Sequence, residues 1–340
     1  MSYMFTAHLG PALEARGCSD SVNAKVRNGS QTAASKELFW ATWNPVLALR
    51  MNLEDYFVRI YYKGSSDKCN FQILKEIFQH HIRAVPFENL SIHCKEMIQV
   101  NIDAIYSKIV KKRRGGWCIE QNHLLYWVLK TMGYEVTMHE GNVYLPLQAM
   151  YSDRSSHLIL KVVIEGKTYI VDVSFGASSQ MWEPLELLSG KDQPQSPGIF
   201  RLTEVNGVWY LDKIRRKQYV PDERFSNSDL LDKATHKHVY RFTLLERKID
   251  DFLLVNTYLQ TSPDSLFKKK SICTLQLTDG VRALIGWTLT ETRYKYKDSM
   301  DLVEFTIVKE KDVEMVLKDK FNLVLEKRFV PVNSNTSFTI

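Results

Sequence analysis

The chain has 340 residues and a formal net charge of +6, and 44% of its residues are hydrophobic. This composition is typical of a globular protein with room for two or three domains, and it excludes a largely disordered chain. The mild positive charge would suit an anionic ligand. The basic runs at 111–114 and 268–270 have no recognition motif or aromatic interleaving beside them, so we expect no nucleic-acid partner.

The cysteines are odd in number and scattered. There are five of them: Cys18, Cys69, Cys94, Cys118 and Cys273. This spacing argues against a disulfide framework and against a zinc site. No apolar run approaches the ~20 residues of a membrane-spanning helix, and the N-terminus lacks the apolar core of a signal peptide. We therefore expect a cytoplasmic protein with no metal and no membrane partner.

The sequence pattern changes near residue 50 and again at residue 134. Residues 1–50 are rich in Ala, Ser and Gly without a resolved apolar face, and they are expected to be a flexible N-terminal extension. Residues 51–133 carry apolar residues at helical spacing and predict a helical domain, with Asn70 capping one helix. From residue 134 the pattern becomes that of short strands separated by turn signals.

The strands predict a barrel or a strongly curled sheet over residues 134–242, interrupted by a polar, irregular insertion at 213–237. Residues 243–340 mix strands with a helix that Asp312 is expected to cap. The strand-like runs cover 135–139, 142–145, 158–164, 168–173, 200–203, 208–211, 272–277, 281–289 and 302–307. Helices and strands are largely segregated along the chain, so the fold class is α+β.

Cys118 follows a glycine pair and opens a segment with apolar residues at helical spacing, which Gly133 ends. The cysteine is therefore expected in the first turn of a buried helix. There the helix dipole and the exposed N–H groups stabilise a thiolate. A small buried structural cysteine is the alternative.

A nucleophilic cysteine needs a base and a group that orients the base. Residues 157–173 read as a β-hairpin that turns at Glu165-Gly166. A loop of two or four residues makes Asp172 the diagonal neighbour of His157 on the same face, whereas a three-residue loop sends it to the far face. Asp172 lies in an apolar run, where an unpaired carboxylate would be costly.

These residues predict a triad in which His157 takes the proton of Cys118 and Asp172 fixes the imidazole. Such a nucleophile suits acyl transfer. Two alternatives remain open from the residues: a papain-like thiol hydrolase or transglutaminase, and a binding module that keeps the pocket without turnover.

Several separated motifs in the same order resemble the vertebrate-type arylamine N-acetyltransferases. The resemblance covers Met51 to Ile340 and not the first fifty residues. The motifs are Pro86-Phe87-Glu88-Asn89-Leu90, Arg114-Gly115-Gly116-Trp117-Cys118, His157, Val171-Asp172-Val173-Ser174-Phe175-Gly176, Gln180-Met181-Trp182-Glu183-Pro184-Leu185-Glu186-Leu187, Asn256-Thr257-Tyr258-Leu259-Gln260-Thr261-Ser262-Pro263 and Ser337-Phe338-Thr339-Ile340.

The resemblance implies a helical N-terminal domain, a β-barrel and an α/β lid with a core like that of papain-like cysteine proteases. It implies ping-pong transfer of acetyl from acetyl-CoA to arylamines and arylhydrazines, and to the oxygen of N-hydroxyarylamines. It assigns Cys118 as acetyl carrier, His157 as general base and acid, and Asp172 as orienter. Small-molecule partners and a monomer are expected.

The resemblance also assigns the binding residues. Tyr258 and Ser337 are implied to contact the cofactor, and Ser156 and His157 to adjoin the acceptor amine. In the loop after Asp172, Phe175 offers an aromatic face, while Ala177 and Ser179 are small, which predicts a roomy acceptor pocket. Asp153-Arg154 and Asp264 depart from the family pattern and bear on cofactor affinity.

Overall fold

A computed structural model describes residues 51–231 and 234–334, so the expected N-terminal extension and the last six residues lie outside the described part. Within it, helices dominate the first third and strands the remainder. Among the described residues, none of the helices combines the length and the apolar character that crossing a bilayer requires.

The helices follow the predicted spacing, with Asn70 accepting a hydrogen bond from the Ile73 N–H at the start of the second one. They are α1 (Leu53–Arg59), α2 (Phe71–Ala84), α3 (Leu90–His93), α4 (Ile102–Tyr106), α5 (Cys118–Met132), α6 (Leu253–Thr261), α7 (Leu266–Lys269) and α8 (Val313–Phe321). Asp312 takes the N-cap position of α8 without a side-chain capping bond.

The strands occupy most of the chain after residue 134. They are β1 (Phe87–Glu88), β2 (Glu135–Leu145), β3 (Met150–Tyr151), β4 (His157–Ile164), β5 (Lys167–Val171), β6 (Leu185–Glu186), β7 (Asp192–Gln195), β8 (Gly198–Val205), β9 (Val208–Ile214), β10 (Gln218–Tyr219), β11 (His236–Phe242), β12 (Ile272–Leu277), β13 (Gly280–Ile285), β14 (Thr288–Lys297) and β15 (Met300–Ile307).

These strands form two sheets. One is a nearly closed, barrel-like sheet in the order β6-β5-β4-β2-β11-β9-β8-β7, with β3 paired to β2. The other has the order β1-β12-β13-β14-β15-β10. The mixed architecture confirms the α+β class and the curled sheet. The division into domains at residues 50, 133 and 242 stays a prediction.

Three details of the strand prediction were wrong. Glu140 and Gly141 do not interrupt the strand, because β2 runs through them and both pair with residues of β4. The single run at 281–289 is two strands, with a turn at Gly286, whose φ of 56° suits glycine. The polar segment at 213–237 is not wholly irregular, because β10 lies within it and pairs with β15.

Helix α5 lies at the centre of the main hydrophobic core and packs against β2 and β4. Leu124, Leu125, Val128 and Leu129 are fully buried along it. Burial of each such side chain contributes ~1.5–3 kcal/mol. Cys118 at the start of α5 is therefore held by a rigid, well-anchored element.

Strand β1 belongs to the helical part of the chain but pairs with β12 from the last third. The Asn89 side chain reinforces this junction. It donates to the carbonyl oxygens of Phe267 and Lys270, at 3.0 and 2.7 Å, and accepts from the Ile272 N–H at 2.8 Å. The turn at 86–90 thus joins the loop before Cys118 to the second sheet.

Gly115, in the glycine pair before Cys118, lies so close to the backbone of Pro86 that a larger residue would not fit. A Cβ at position 115 would overlap the Pro86 carbonyl oxygen. We expect Gly115→Ala to lower the free energy of unfolding by ~1–3 kcal/mol or more, because backbone must move. Thermal and urea unfolding would measure it. Gly141→Ala is the control, since its Cβ would lie 3.6 Å from its nearest neighbours. Equal stability of both variants would contradict the prediction.

Candidate active site

Cys118 is the first residue of α5 and is 4% exposed. Its Sγ lies 3.6 Å from the carbonyl oxygen of Ser156, the residue before His157. At the other end, Gly133 closes the helix with a φ of 97°. Cys118 thus lies at the positive end of the helix dipole, as the glycine pair and the apolar spacing predicted.

The loop before Cys118 is fixed by a buried chain of hydrogen bonds that sequence reasoning missed. The Gln121 amide donates to the carbonyl oxygens of Pro86 (3.0 Å) and Gly116 (2.6 Å). Its own oxygen lies 3.0 Å from His81 Nε2, and His81 Nδ1 lies 2.9 Å from the Tyr56 hydroxyl. Burial lowers the pKa of His81 to about 3, so the ring is neutral, donates from Nε2 and accepts from Tyr56.

His157 begins β4, and Asp172 follows the last residue of β5. The hairpin has the predicted two-residue loop, with Ile164 opposite Lys167 and the ladder ending at Leu160–Val171. His157 Nε2 lies 2.6 Å from an Asp172 carboxylate oxygen. The structure therefore brings together the histidine and the carboxylate that the hairpin register paired.

Electrostatics favours the protonated imidazole. Burial alone lowers the pKa of His157, but the charges of Asp172 and Cys118 and their hydrogen bonds outweigh it and raise the pKa to about 10. Because a carboxylate only accepts, Nε2–H donates to Asp172, and Nδ1 is the nitrogen that remains for Cys118. The arrangement suits an ion pair between a thiolate and an imidazolium.

Asn122 holds the carboxylate in place, one helical turn after the cysteine. Its amide donates to Asp172 Oδ1 at 2.9 Å and to the Leu158 carbonyl oxygen at 2.7 Å, and its oxygen accepts from the Val173 N–H at 3.0 Å. Sequence reasoning missed Asn122. The available signal was a buried polar side chain at i+4 from Cys118, on the face that α5 turns toward β4.

Gln180 performs a similar task for the loop after Asp172. Its amide donates to the Asp172 carbonyl oxygen at 2.5 Å, and its oxygen accepts from the Phe175 N–H at 2.8 Å. The Phe175 ring lies edge-on to the His157 ring, with centroids 5.2 Å apart. An aromatic wall therefore stands directly beside the imidazole.

A cavity of about 510 Å³ opens beside Cys118 and His157. The site residues expected from the sequence that line it are Ser156, Phe175, Ala177, Ser179 and Tyr258. Ser337 and the rest of the C-terminal tail lie outside the described residues. Sequence reasoning missed several other lining residues, among them Phe87, Tyr144, His238 and Phe267.

Asp153, Arg154 and Asp264, which depart from the family pattern, also line this cavity. The Arg154 guanidinium lies 4.2 Å from the centre of the Tyr258 ring, a cation–π contact. The Asp264 carboxylate lies 3.8 Å from Lys269 Nζ. Lys269 therefore puts a cation beside Asp264, which reduces the repulsion that this aspartate would exert on an anionic ligand.

The chain is similar to known proteins in sequence and in structure. A family model described as N-acetyltransferase matches residues 70–330. The arylamine N-acetyltransferase pineal gland isozyme NAT-10 of Gallus gallus is 60% identical over 290 residues, which are 85% of this chain and 100% of that protein. Arylamine N-acetyltransferase 1 of Homo sapiens is 53% identical with the same two coverages.

Solved structures of arylamine N-acetyltransferases are similar to this chain in fold. The arylamine N-acetyltransferase of Mycobacterium marinum has a TM-score of 0.68 and 26% identity, over 80% of this chain and 92% of that one. A structure of the same enzyme in complex with CoA has a TM-score of 0.67 at 26% identity and the same coverages.

The fold and the family match define an acetyltransferase. The chain belongs to the arylamine N-acetyltransferase family, and its reaction is acetyl transfer to arylamines. The resemblance noted from the separated motifs is confirmed.

Proposed function

We propose that the reaction runs by a ping-pong mechanism through an acetyl group carried on Cys118, with His157 as general base and acid and Asp172 as the residue that orients it. The observation that carries this proposal is the buried His157, held by Asp172 at 2.6 Å through Nε2 and hydrogen-bonded to Cys118. A thiol hydrolase shares such a triad, but the family match favours transfer.

In the first half-reaction the Cys118 thiolate attacks the acetyl carbonyl carbon of the donor thioester. The oxyanion that forms lies near the first turn of α5, where the helix dipole is favourable. The bond to the donor sulfur then breaks, and the proton on His157 goes to the departing thiolate, which leaves as a thiol. The product is a thioester on Cys118.

In the second half-reaction the arylamine nitrogen attacks that thioester. His157, now neutral, takes the proton that the nitrogen loses, and collapse of the adduct releases the amide and regenerates the thiolate. Asp172 stabilises the imidazolium in both half-reactions and keeps Nδ1 facing the sulfur. Each turnover leaves the protonation state of the site unchanged.

Acetyl-CoA is the proposed donor. The Mycobacterium marinum structure with CoA supports a coenzyme A thioester. Tyr258, with Arg154 against its ring, is the proposed cofactor contact in the described part of the chain. Ser337 is proposed as a second contact on the resemblance alone. No metal is required by these steps.

Arylhydrazines and N-hydroxyarylamines are further proposed acceptors, since each presents a nucleophilic nitrogen or oxygen beside an aromatic ring. Phe175 stands edge-on to His157 and supports stacking of that ring within reach of the base. Ser156, whose carbonyl lies beside Cys118 Sγ, is proposed to adjoin the acceptor amine.

The mechanism is tested by isolating the enzyme with the acetyl group still attached to Cys118. The purified full chain is mixed with acetyl-CoA in the absence of amine, quenched and examined by peptide mass spectrometry. We expect one acetyl group per chain on the peptide containing Cys118, and its loss when aniline is added. Acetylation at another residue, or a ternary reaction with no acetyl-enzyme, would overturn the mechanism.

The size of the acceptor pocket gives a separate prediction. Ala177 and Ser179 are small, buried residues of the cavity wall. Replacing both with phenylalanine is expected to raise the KM of a fused-ring amine such as 2-aminonaphthalene several-fold more than that of aniline. Steady-state kinetics with both amines measures the difference. Equal effects on the two amines would contradict a role for these residues in acceptor size. Ser65→Phe, at an exposed residue outside the cavity lining, is the control.

Several organisational features remain proposals. The four cysteines in the described part are free thiols, which supports a reducing cytoplasm as the place of action. A monomer is proposed, because one chain supplies all three catalytic groups. Residues 1–50 are proposed to be an N-terminal extension, since 290 residues of this chain cover the whole of the Gallus gallus NAT-10 protein.

A further inference from the structure

Two histidines and an aspartate meet on the barrel-like sheet, outside the triad. Strands β9 and β11 are antiparallel neighbours, and Asp212 on β9 lies directly opposite His238 on β11. His236 is two residues before His238 and therefore shares its face of the strand. One side-chain ligand atom from each of the three lies within 4.8 Å of the other two.

The spacing suits one shared ion. His238 Nδ1 lies 2.7 Å from one Asp212 carboxylate oxygen, and His236 Nε2 lies 3.9 Å from the other. Ligands at ~2.0–2.2 Å from a tetrahedral zinc ion are about 3.3 Å apart. The observed distances lie on either side of that value, so small rotations of the two rings would bring all three groups to a metal.

The three side chains are accessible to solvent, but contacts with neighbouring rings restrict the two histidines. Asp212 is 14% exposed, whereas the two histidines are 49% and 44% exposed. The His236 and His238 rings are perpendicular neighbours, with centroids 5.4 Å apart, and Tyr144 packs on His238 at 4.9 Å. These contacts restrict the rotamers of His238 and reduce the entropy lost on ligation.

Neighbouring charges decide whether a cation is tolerated. Arg201 lies opposite Asp212 on β8, but its guanidinium donates to Asp192 at 2.6 Å. Lys237 lies between the two histidines in the strand, so its side chain alternates with theirs, and it lines the same cavity as His238. The carboxylate of Asp212 thus supplies the negative charge nearest the two imidazoles.

We propose that Asp212, His236 and His238 form a binding site for a divalent transition-metal ion, of which Zn²⁺ is the reference case. Imidazole and carboxylate ligands suit Zn²⁺, Co²⁺, Ni²⁺ and Cu²⁺ rather than Mg²⁺ or Ca²⁺, which take oxygen ligands. Three protein ligands leave a coordination position for water. The sequence argument against zinc rested on cysteine spacing and did not consider the His-x-His pattern.

The site adjoins the catalytic cavity. His238 and Tyr144 line that cavity, whereas His236 is not one of the described residues that line it. An ion on the outer side of His238 would fix the orientation of one cavity wall. We infer that Zn²⁺ changes the KM of the acceptor amine, a consequence that rests on the proposed function, unlike the binding itself.

Binding is tested on the full chain carrying Cys118→Ser, so that the reactive thiol cannot hold the ion. Titration with ZnCl₂ by calorimetry is expected to give one site per chain. His236→Gln and Asp212→Asn should each weaken it at least tenfold, and His80→Gln, at a histidine outside the cluster, should not. The visible spectrum of added Co²⁺ should show nitrogen and oxygen ligation without a thiolate charge-transfer band.

Two results would overturn the site. One is equal Zn²⁺ affinity in His236→Gln and its parent. The other is binding that Cys69→Ser abolishes, which would mean that the ion is held by a surface thiol. The cavity link is tested with Cys118 intact: Zn²⁺ should shift the acceptor KM in the unmodified chain and not in His236→Gln. An equal loss of activity in both would trace the effect to Cys118 and overturn the link.

Discussion

Cys118→Ala is expected to lower kcat/KM for acetyl transfer from acetyl-CoA to aniline by at least ~10³-fold, because it removes the thiol proposed to carry the acetyl between donor and acceptor. The thiol is buried at the start of α5, with its sulfur beside Ser156 and the His157 imidazole. Alanine fills nearly the same space, so the fold and the pocket should be retained.

Cys69→Ala is the matched control for this substitution. Its thiol is exposed and contacts the Met132 carbonyl oxygen, at the opposite end of the same helix. It should keep full activity and unfold like the parent chain. If Cys118→Ala kept more than about a tenth of the activity, another residue would be the acyl carrier.

Asp172→Asn is expected to reduce kcat/KM by ~10²–10⁴-fold while leaving donor binding nearly unchanged. Asp172 Oδ1 accepts from the Asn122 amide and from the Ser174 N–H, at 2.9 and 3.0 Å. An asparagine oxygen would stay with these donors. Its NH₂ group would then face His157 Nε2, which must accept, so the proton moves to Nδ1, the nitrogen needed as base toward Cys118.

The same substitution should change the pH dependence. Asp172 helps to raise the pKa of His157, so its neutralisation lowers that pKa. The imidazolium is then lost at a lower pH, and the alkaline limb of the rate of acetyl-enzyme formation should move to lower pH. Asp222→Asn, at a surface ion pair with Arg224, is the control. A profile unchanged by Asp172→Asn would contradict the assigned role.

The sequence was most informative where local rules decide the structure. The start of α5 at Cys118 follows from the glycine pair and the apolar spacing, and its end follows from Gly133. The pairing of His157 with Asp172 follows from a two-residue loop, because loop length fixes which side chains share a face. Both inferences need only short stretches of chain.

It was least informative where residues distant in the chain decide the structure. Asn122 binds Asp172 across 50 positions, and Asp212 meets His238 across 26. A local pattern can mark one member of such a pair, but it does not show which distant residue the member meets. The break at Gly286 was missed because an apolar run can continue through a turn, and only the positive φ distinguishes it.

The pairing of β1 with β12 has a consequence for synthesis of the protein on the ribosome. The segment at 86–90 contacts Gly116 on one side and Ile272 on the other. Until residues 267–272 have emerged from the ribosome, the buried Asn89 side chain lacks its partners there, and strand β1 has no β12 to pair with. A premature stop codon before residue 272 should therefore yield a chain that contains all three proposed catalytic residues but does not fold stably around them.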